Sequence, residues 1–283
     1  MGEEKYTLTT GRKSSRTNAA FHTEWESSIT DLGFHKINIR GYPLKDIIQK
    51  LSFTEVVYLT IRGELPTKKQ ARVMDAVLCG IVDHGMFAPT GLAVRVIASA
   101  APENIMPAVA GAMLTIGSVT VSPQDTAELI EMALGMVKEE GLSNKEAARK
   151  IIEDYKAKKR RLPGIGHPLH PTGDPRAIAL KKVAVQNGIW GEKGGIYEEI
   201  VGSFLEATGK SFPINIDGMM GCVLSELGFK PKEMAGIAAL SFMPGIIAHA
   251  VEESRTIKLR VADCKYTGVP ERKIPRNRQQ NIS

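Results

Sequence analysis

Helix-start signals recur along this chain and restrict its fold more than any other feature of the sequence. Capping boxes, in which a Ser or Thr stands three residues before a Glu or Gln, open at Ser52, Thr67 and Ser143, and each precedes an apolar run with helical spacing. Ser122 precedes a proline, a residue that fits the first position of a helix. Beyond residue 40 we find neither period-two alternation nor a β-α-β series. The sequence therefore predicts an all-α fold with a few short strands near the N-terminus.

The same signals give expected element bounds. They predict helices at residues 53–62, 68–84, 90–101 and 106–117, a helix that starts after Ser122, a helix that runs from the Ser143 box to about residue 157, and short strands at residues 5–9 and 35–40. The runs at 90–101 and 106–117 are apolar on most sides, which is typical of helices buried inside a protein. We expect these two helices in the core.

Composition indicates an ordinary globular chain. Of 283 residues, 43% are hydrophobic and 24% are charged, and the mean hydropathy is -0.11. The longest apolar stretches, residues 88–101 and 235–251, are interrupted by residues such as Arg95, Pro244 and His249. Because a membrane span needs about 20 apolar residues in a row, the sequence predicts no transmembrane segment.

Cysteine usage bears on the compartment. The three cysteines, Cys79, Cys222 and Cys264, have no C-x-x-C spacing, and the first residues contain no apolar signal-peptide region. We therefore expect a cytoplasmic protein.

The net charge of +6, with a pI near 9.1, is compatible with nucleic acid, an anionic membrane surface or a polyanionic small ligand. The densest basic runs are residues 156–161 and 272–278, and either run is also compatible with an ordinary solvated face. No aromatic residues alternate with the basic ones, which disfavours single-stranded nucleic acid.

Histidines at turns are the first candidates for chemistry. His84, His167 and His170 each stand beside a glycine or a proline, where a ring is free to face a cleft. His249 lies in an apolar helical run, where a hydrogen-bonded core histidine is the more common finding. No H-x-x-x-H pair and no nearby set of carboxylates or thiolates accompanies these residues, so the sequence predicts no metal site.

Asp217 is the candidate carboxylate. It stands in the otherwise apolar segment Ile214-Asn-Ile-Asp217-Gly, and a carboxylate is expensive to bury there without partners. It could cap the helix that follows, since Asp is a favoured N-cap residue, or it could serve in a reaction. Both readings remain open from the residues alone.

A series of short motifs resembles the citrate synthase superfamily. They occur in the order found in citrate synthases and in the C-terminal part of ATP-citrate lyase, and the length of the chain resembles that of free-standing citryl-CoA lyases. The motifs are Arg40-Gly-Tyr-Pro-Leu, Leu51-Ser-Phe-Thr-Glu, Gly63-Glu-Leu-Pro66, Asp83-His84, Gly164-Ile-Gly-His167, Thr172-Gly-Asp-Pro-Arg176, Asn215-Ile-Asp217-Gly and Ile247-Ala-His249.

The resemblance implies a citrate synthase-like fold and a homodimer or higher homo-oligomer. Residues 1–121 and 229–283 would form a large helical domain, and residues 122–228 a small domain that closes over the active site. The partners would be an acyl-CoA and a 2-oxo acid or citrate-like molecule, with no nucleic acid or membrane. Coenzyme A would enter as the thioester substrate, and no permanently bound cofactor or metal is implied.

Carried over by position, Asp217 matches the family's general base, which takes a proton from acetyl-CoA or returns it to the enolate. His167 matches a histidine that polarises the carbonyl or hydroxyl oxygen of the oxaloacetate-derived half. His84 matches a histidine that positions this half, and Arg176 matches an arginine that holds a carboxylate in a bidentate fork.

The surplus positive charge also receives an interpretation from the resemblance. The groups that would face the coenzyme A phosphates are Lys158, Lys159, Arg160, Arg161 and the backbone of Gly164 and Gly166.

Three departures from the family pattern concern the substrate. A histidine expected near residues 119–122 is missing, which favours a lyase over a synthase. Phe242 stands where a second arginine is expected, and a third arginine position aligns with Asp263, although Arg260 is close enough to replace it. Because a buried carboxylate needs a charged partner, a substrate with fewer carboxylates and with apolar volume against Phe242 is an alternative.

The resemblance leads to one function and two alternatives. The first is cleavage of citryl-CoA to acetyl-CoA and oxaloacetate. The second is condensation or cleavage with a different 2-oxo acid. The third is a paralogue without turnover that binds coenzyme A as the subunit of a complex.

Overall fold

The computed structural model describes residues 26–117, 120–256 and 265–273. Over these residues the chain forms eleven α-helices and three short strands, so the predicted all-α class is confirmed. The strand predicted at residues 5–9 lies outside the described residues, as do Arg260, Asp263 and Cys264. Cys79 is exposed and Cys222 is buried, and both are free thiols.

The strands form a small antiparallel sheet with the order β1-β2-β3. They are β1 (Thr30–Gly33), β2 (Lys36–Ile39) and β3 (Tyr42–Pro43). β2 lies within the predicted strand at 35–40, whereas β1 and β3 were not predicted because neither carries an apolar alternation of useful length. Left-handed residues join the strands: His35 has φ 53°, and Arg40 and Gly41 have φ 49° and 85°.

The helices follow one another with short connections. They are α1 (Leu44–Lys50), α2 (Phe53–Arg62), α3 (Lys68–Cys79), α4 (Pro89–Ala100), α5 (Met106–Met113), α6 (Pro123–Glu140), α7 (Asn144–Ala157), α8 (Pro175–Gln186), α9 (Glu192–Thr208), α10 (Ile216–Glu226) and α11 (Pro231–Ser254). A 3₁₀ turn, Gly85–Phe87, precedes α4.

Helix starts agree with the predictions, and two helix ends do not. The capping boxes at Ser52, Thr67 and Ser143 are all formed. The helix predicted at 68–84 ends at Cys79, because the following residues turn away to pack against α11, where the carbonyl of Val82 accepts a hydrogen bond from the Gly245 N–H. The helix predicted at 106–117 ends at Met113, since its last apolar residues continue as turns.

Two apolar clusters pack side by side on α10. One is built from α6, α7 and α9 and includes Cys222 of α10, and it lies within residues 122–228. The other unites α2 to α5, α8 and α11 with Met219, Met220 and Val223 of α10. The division into a large and a small domain stays a prediction, since the second cluster crosses its boundaries. The N-terminus of α10 is thereby placed where both clusters meet.

α11 is long and apolar enough, by length and composition, to cross a membrane. It is one helix of 24 residues that continues through Pro244, and the absence of a transmembrane segment stays a prediction. It packs against α3, α4, α5 and α6 and buries residues such as Ile237 and Phe242. A buried core helix meets the same criteria as a membrane span, and 44% of the most apolar stretch of α11 is buried.

Candidate active site

A cavity of about 250 Å³ opens where the N-termini of α8 and α10 meet the loops around residues 84 and 167. Its lining brings together predicted site residues from distant parts of the sequence: His84, Gly166, His167, Arg176, Asp217 and Phe242. The basic residues 158–161 and Gly164 do not line it, and Arg260 lies outside the described residues.

Asp217 enters this cavity from the first turn of α10. The N-cap of the helix is Asn215, whose side-chain oxygen accepts a hydrogen bond from the Gly218 N–H at 3.0 Å. The other side-chain atom of Asn215 donates to the carbonyl of Gly166 at 2.9 Å. The reading of Asp217 as the helix cap was therefore wrong, and its carboxylate is left to face the cavity.

The surroundings of Asp217 make it a stronger base than an ordinary carboxylate. Burial raises the pKa of Asp217 to about 6, although the positive charge of Arg176 and a backbone hydrogen bond from Ser122 act in the opposite direction. Protein encloses the side chain on most sides, and part of its surface stays open to the cavity. A carboxylate with a pKa near 6 suits proton transfer at neutral pH.

His167 presents a hydrogen-bond donor. Its Nδ1 accepts from the backbone N–H of Leu169 at 3.1 Å, so the proton of the neutral ring is assigned to Nε2. Burial, together with the charge of Arg176, lowers the pKa of His167 and favours the neutral ring. A neutral Nε2–H can polarise a substrate oxygen without adding a full charge to the cavity.

His84 lies beside His167 with a ring nitrogen unused. The two ring centroids are 5.2 Å apart in an edge-to-face arrangement. Nε2 of His84 is buried and has no hydrogen-bond partner among the described residues. Burial lowers the pKa of His84, with a further contribution from Arg176. His84 lines the cavity, and a buried polar atom without a partner calls for an explanation such as a ligand that would bind it.

Arg176 is held by Asp174 at the N-terminus of α8. Nε and Nη2 of Arg176 donate to the two carboxylate oxygens of Asp174 at 3.0 and 2.8 Å. Burial alone would raise the pKa of Asp174, but its hydrogen bonds and its attraction to Arg176 hold it below the usual value. In this structure the predicted bidentate fork therefore holds a protein carboxylate.

Asp174 also connects α8 to α10. Its side chain is 1% exposed, and Oδ2 accepts a hydrogen bond from the backbone N–H of Ile216 at 3.0 Å. Ile216 directly precedes Asp217, so one buried carboxylate fixes both the guanidinium and the start of the helix that carries the base. Sequence reasoning did not identify this residue. The signal was present, since an Asp before a proline is a helix-cap pattern.

Gly164 and Gly166 shape the loop that precedes His167. The N–H of Gly166 donates to the carbonyl of Pro213 at 2.8 Å. Gly164 has φ 77°, and a Cβ there would lie 2.5 Å from Oγ1 of Thr126 and 2.6 Å from Cα of Gly218. These glycines allow the loop to approach α10 closely. Their predicted contact with coenzyme A phosphates stays a prediction, and the Gly166 N–H is already engaged.

Replacing Gly164 by alanine is expected to lower the free energy of unfolding by about 3 kcal/mol, because the new methyl group meets fixed atoms in a left-handed backbone. Urea unfolding followed by circular dichroism measures this. Gly195→Ala in α9 is the matched control, because nothing lies within 4 Å of a Cβ at that position. A loss of equal size in both variants would contradict the packing role of Gly164.

The basic run after α7 is exposed. Lys158 pairs with Asp154 at 2.7 Å, and the guanidinium of Arg160 lies 4.9 Å from the ring centroid of Tyr155. Lys159 adopts a left-handed backbone with φ 51°, and Arg161 is also exposed. Both the coenzyme A role and the solvated face remain compatible with this placement.

Phe242 gives the cavity an apolar wall. It is 5% exposed and lines the cavity together with Ile81 and Ala88. Within the described ranges, Arg176 is the one cationic side chain in the lining. Those ranges also contain no group of three or more His, Cys, Asp or Glu that could hold a metal ion.

Comparison with known proteins identifies the family. The family model of the citrate synthase C-terminal domain matches residues 67–260. Curated relatives include citrate synthase of Deinococcus radiodurans, 29% identical over 214 residues, which are 74% of this chain and 54% of that protein. Citrate synthase 2 of Bacillus subtilis is 27% identical over 76% of this chain and 56% of its own length. The chain belongs to the citrate synthase family, and it spans about half the length of these relatives.

Solved structures agree with this fold. Citryl-CoA lyase from Hydrogenobacter thermophilus superposes with a TM-score of 0.82 at 31% identity, covering 91% of this chain and 100% of the lyase chain. ATP citrate lyase from Methanothrix soehngenii, solved in complex with citrate and coenzyme A, gives a TM-score of 0.71 at 20% identity over 92% of this chain and 43% of its own. The second likeness supports the fold alone.

Proposed function

We propose that this chain cleaves citryl-CoA to acetyl-CoA and oxaloacetate. The observation that carries the proposal is the convergence on one cavity of Asp217, with its raised pKa, and two neutral histidines, His84 and His167. The likeness to a citryl-CoA lyase over its whole length supports a lyase. The reaction class is carbon–carbon bond cleavage or formation beside a coenzyme A thioester.

Each residue has a role that follows from its surroundings. In cleavage, the bond between the thioester α-carbon and the carbinol carbon breaks, and its electron pair stays on the thioester as an enolate. The hydroxyl proton passes to water and the oxygen becomes the ketone of oxaloacetate, while Nε2–H of His167 hydrogen-bonds that oxygen. Protonated Asp217 then gives its proton to the enolate carbon. Water returns a proton to Asp217 after each turnover, so that no net proton is gained or lost. In condensation the carboxylate of Asp217 removes this proton, which its pKa near 6 favours.

A second substrate class is favoured by the charge of the cavity. Arg176, already paired with Asp174, is the one cation that lines it within the described ranges, and Phe242 faces the same space. Each carboxylate that enters a partly buried site needs a charged or hydrogen-bonding partner. A 2-oxo acid with one carboxylate and an apolar substituent would match this wall better than oxaloacetate.

Incubating the protein with citryl-CoA and measuring acetyl-CoA and oxaloacetate tests the proposal. Formation of both products in equal amounts supports citryl-CoA cleavage. No product from citryl-CoA, with turnover of a thioester that carries one carboxylate, supports the second class. Tight binding of coenzyme A without consumption of any thioester supports a non-catalytic subunit and contradicts both reactions.

The rate of condensation or proton exchange is expected to fall as the pH drops through about 6. The reaction in this direction needs the carboxylate form of Asp217, whose pKa is raised to about 6. Below that value the carboxylate fraction, and with it the rate, falls about tenfold per pH unit. A profile of kcat/KM between pH 4.5 and 8 measures this. A flat profile down to pH 4.5 would show that Asp217 is not the base or that its pKa is not raised.

A further inference from the structure

A chain of hydrogen bonds runs behind the turn that carries His84. Nε2 of His249, on α11, lies 3.0 Å from Oδ1 of Asp83. The same oxygen accepts the backbone N–H of Gly85 at 3.1 Å. The two residues that flank His84 are therefore tied together by one carboxylate, and this carboxylate is held from α11.

Arg95 sets the tautomer of His249. Its Nη1 lies 3.2 Å from Nδ1 of His249. A guanidinium can only donate, so Nδ1 must accept and carries no proton. The proton of the neutral ring is then on Nε2, where it is donated to Asp83.

Arg95 is itself fixed in place. Its Nε donates to Oε2 of Glu253 at 2.8 Å, and the side chain of Glu253 is 4% exposed. The other oxygen of Glu253 accepts from Oγ1 of Thr256 at 2.9 Å. Glu252 lies 3.4 Å from Nη2. A side chain held by several charge-assisted hydrogen bonds presents one geometry to its neighbour.

Backbone contacts leave the turn little freedom. The Gly245 N–H donates to the carbonyl of Val82 at 3.0 Å, and a Cβ on Gly245 would lie 2.3 Å from that oxygen. A Cβ on Gly91 would lie 2.1 Å from the carbonyl oxygen of Gly85. The turn around His84 is thus packed between α4 and α11. His249 adds a side-chain contact to Asp83 that fixes the orientation of this turn.

We infer that His249 is a positioning residue: through Asp83 it sets the orientation of the His84 ring, which lines the cavity and whose buried Nε2 has no partner among the described residues. The inference rests on the proposed function for the role of His84 toward the 2-oxo acid. His249 itself does not line the cavity.

Two substitutions separate positioning from general stability. In His249→Gln the side-chain nitrogen superposes on Nε2 of histidine, and the variant keeps a donor to Asp83. In His249→Asn the amide reaches only the position of Nδ1, so an acceptor for Arg95 is kept and the donor to Asp83 is lost. Isothermal titration with oxaloacetate is expected to give a dissociation constant about 10-fold higher for the Asn variant and close to that of the unchanged protein for the Gln variant.

A second test asks whether His249 acts through His84. If His249 acts through His84, then His84→Ala and the double variant with His249→Asn bind oxaloacetate equally weakly, because the positioned group is absent in both. Losses that multiply in the double variant would overturn the inference. Equal falls in melting temperature for the Gln and Asn variants, without a difference in affinity, would also overturn it.

A readout independent of activity distinguishes this inference from the proposed function. Long-range ¹H–¹⁵N spectra of the full chain report the ring nitrogens of each histidine. We expect His249 with the proton on Nε2, and we expect the His84 signals to shift in His249→Asn but not in His249→Gln. If the unchanged protein binds no oxaloacetate, the proposed function fails. The spectra still test whether His249 positions His84. Unshifted His84 signals in the Asn variant would overturn the inference.

Discussion

Replacing Asp217 by alanine is expected to slow exchange of the α-protons of acetyl-CoA with solvent deuterium by about 10³-fold, the typical contribution of a positioned acid or base. Asp217 is the carboxylate that lines the cavity, and burial raises its pKa to about 6. Mass spectrometry of acetyl-CoA in deuterated buffer, alone and with a panel of 2-oxo acids, measures the rate without presuming the second substrate.

The matched control is Asp125→Asn. Asp125 lies in the first turn of α6, close enough to raise the pKa of Asp217 by charge repulsion, but it does not line the cavity. This variant is expected to retain exchange within a few-fold. Exchange that survives in Asp217→Ala, or that is lost equally in both variants, would remove Asp217 from the role of base. Whichever 2-oxo acid stimulates the exchange identifies the other half of the substrate.

The raised pKa of Asp217 also predicts an effect on stability. A carboxyl whose pKa rises on folding favours the folded state most when protonated, so its contribution is complete below its ordinary value of 3.8 and is lost as the pH rises through about 6. Asp217→Asn, which removes the charge, is therefore expected to be more stable at pH 7.5 by at most about 3 kcal/mol. Urea unfolding at pH 7.5 and pH 4 measures this. A gain of the same size at both values would contradict the assigned cause.

Helix starts were predictable because their hydrogen bonds are local. At Ser52 and Ser143 the capping partners stand three residues away, so the printed sequence contains the whole motif. The end of α3 was not predictable in this way. Its last predicted turn is absent because the carbonyl of Val82 pairs with Gly245, more than 160 residues later. Long-range contacts of this kind leave no local pattern.

The candidate site was predictable in its parts and not in its arrangement. Turn residues beside His84 and His167, and the apolar setting of Asp217, identified these side chains as candidates, and the resemblance added Arg176. Their convergence depends on how α8, α10 and the loop before α4 pack together. The spacing of residues along the sequence does not indicate this packing. The same limit explains why a cap role for Asp217 stayed open from the sequence, although Asn215 is the N-cap. It also explains why the partner of Arg176 went unnoticed.

Loss of Asp174 should have the largest effect on stability of any substitution near the cavity. Asp174→Ala leaves the Nε and Nη2 groups of Arg176 without acceptors and removes the partner of the Ile216 N–H. Breaking a buried pair from one side typically costs about 3–5 kcal/mol, because the remaining charge is left uncompensated. Urea unfolding measures the loss, and activity should fall as well, since the same carboxylate holds the start of the helix that carries Asp217.

Two further variants test whether the unpaired charge of Arg176 causes this loss of stability. Asp154→Ala breaks an exposed pair with Lys158, in which Asp154 is 44% exposed, and should change stability by less than about 0.5 kcal/mol. Adding Arg176→Leu to Asp174→Ala removes the uncompensated charge and should recover part of the stability but none of the activity. If the double variant is instead less stable than Asp174→Ala by the full cost of a second lesion, then packing, and not the unpaired guanidinium, sets the penalty at this position.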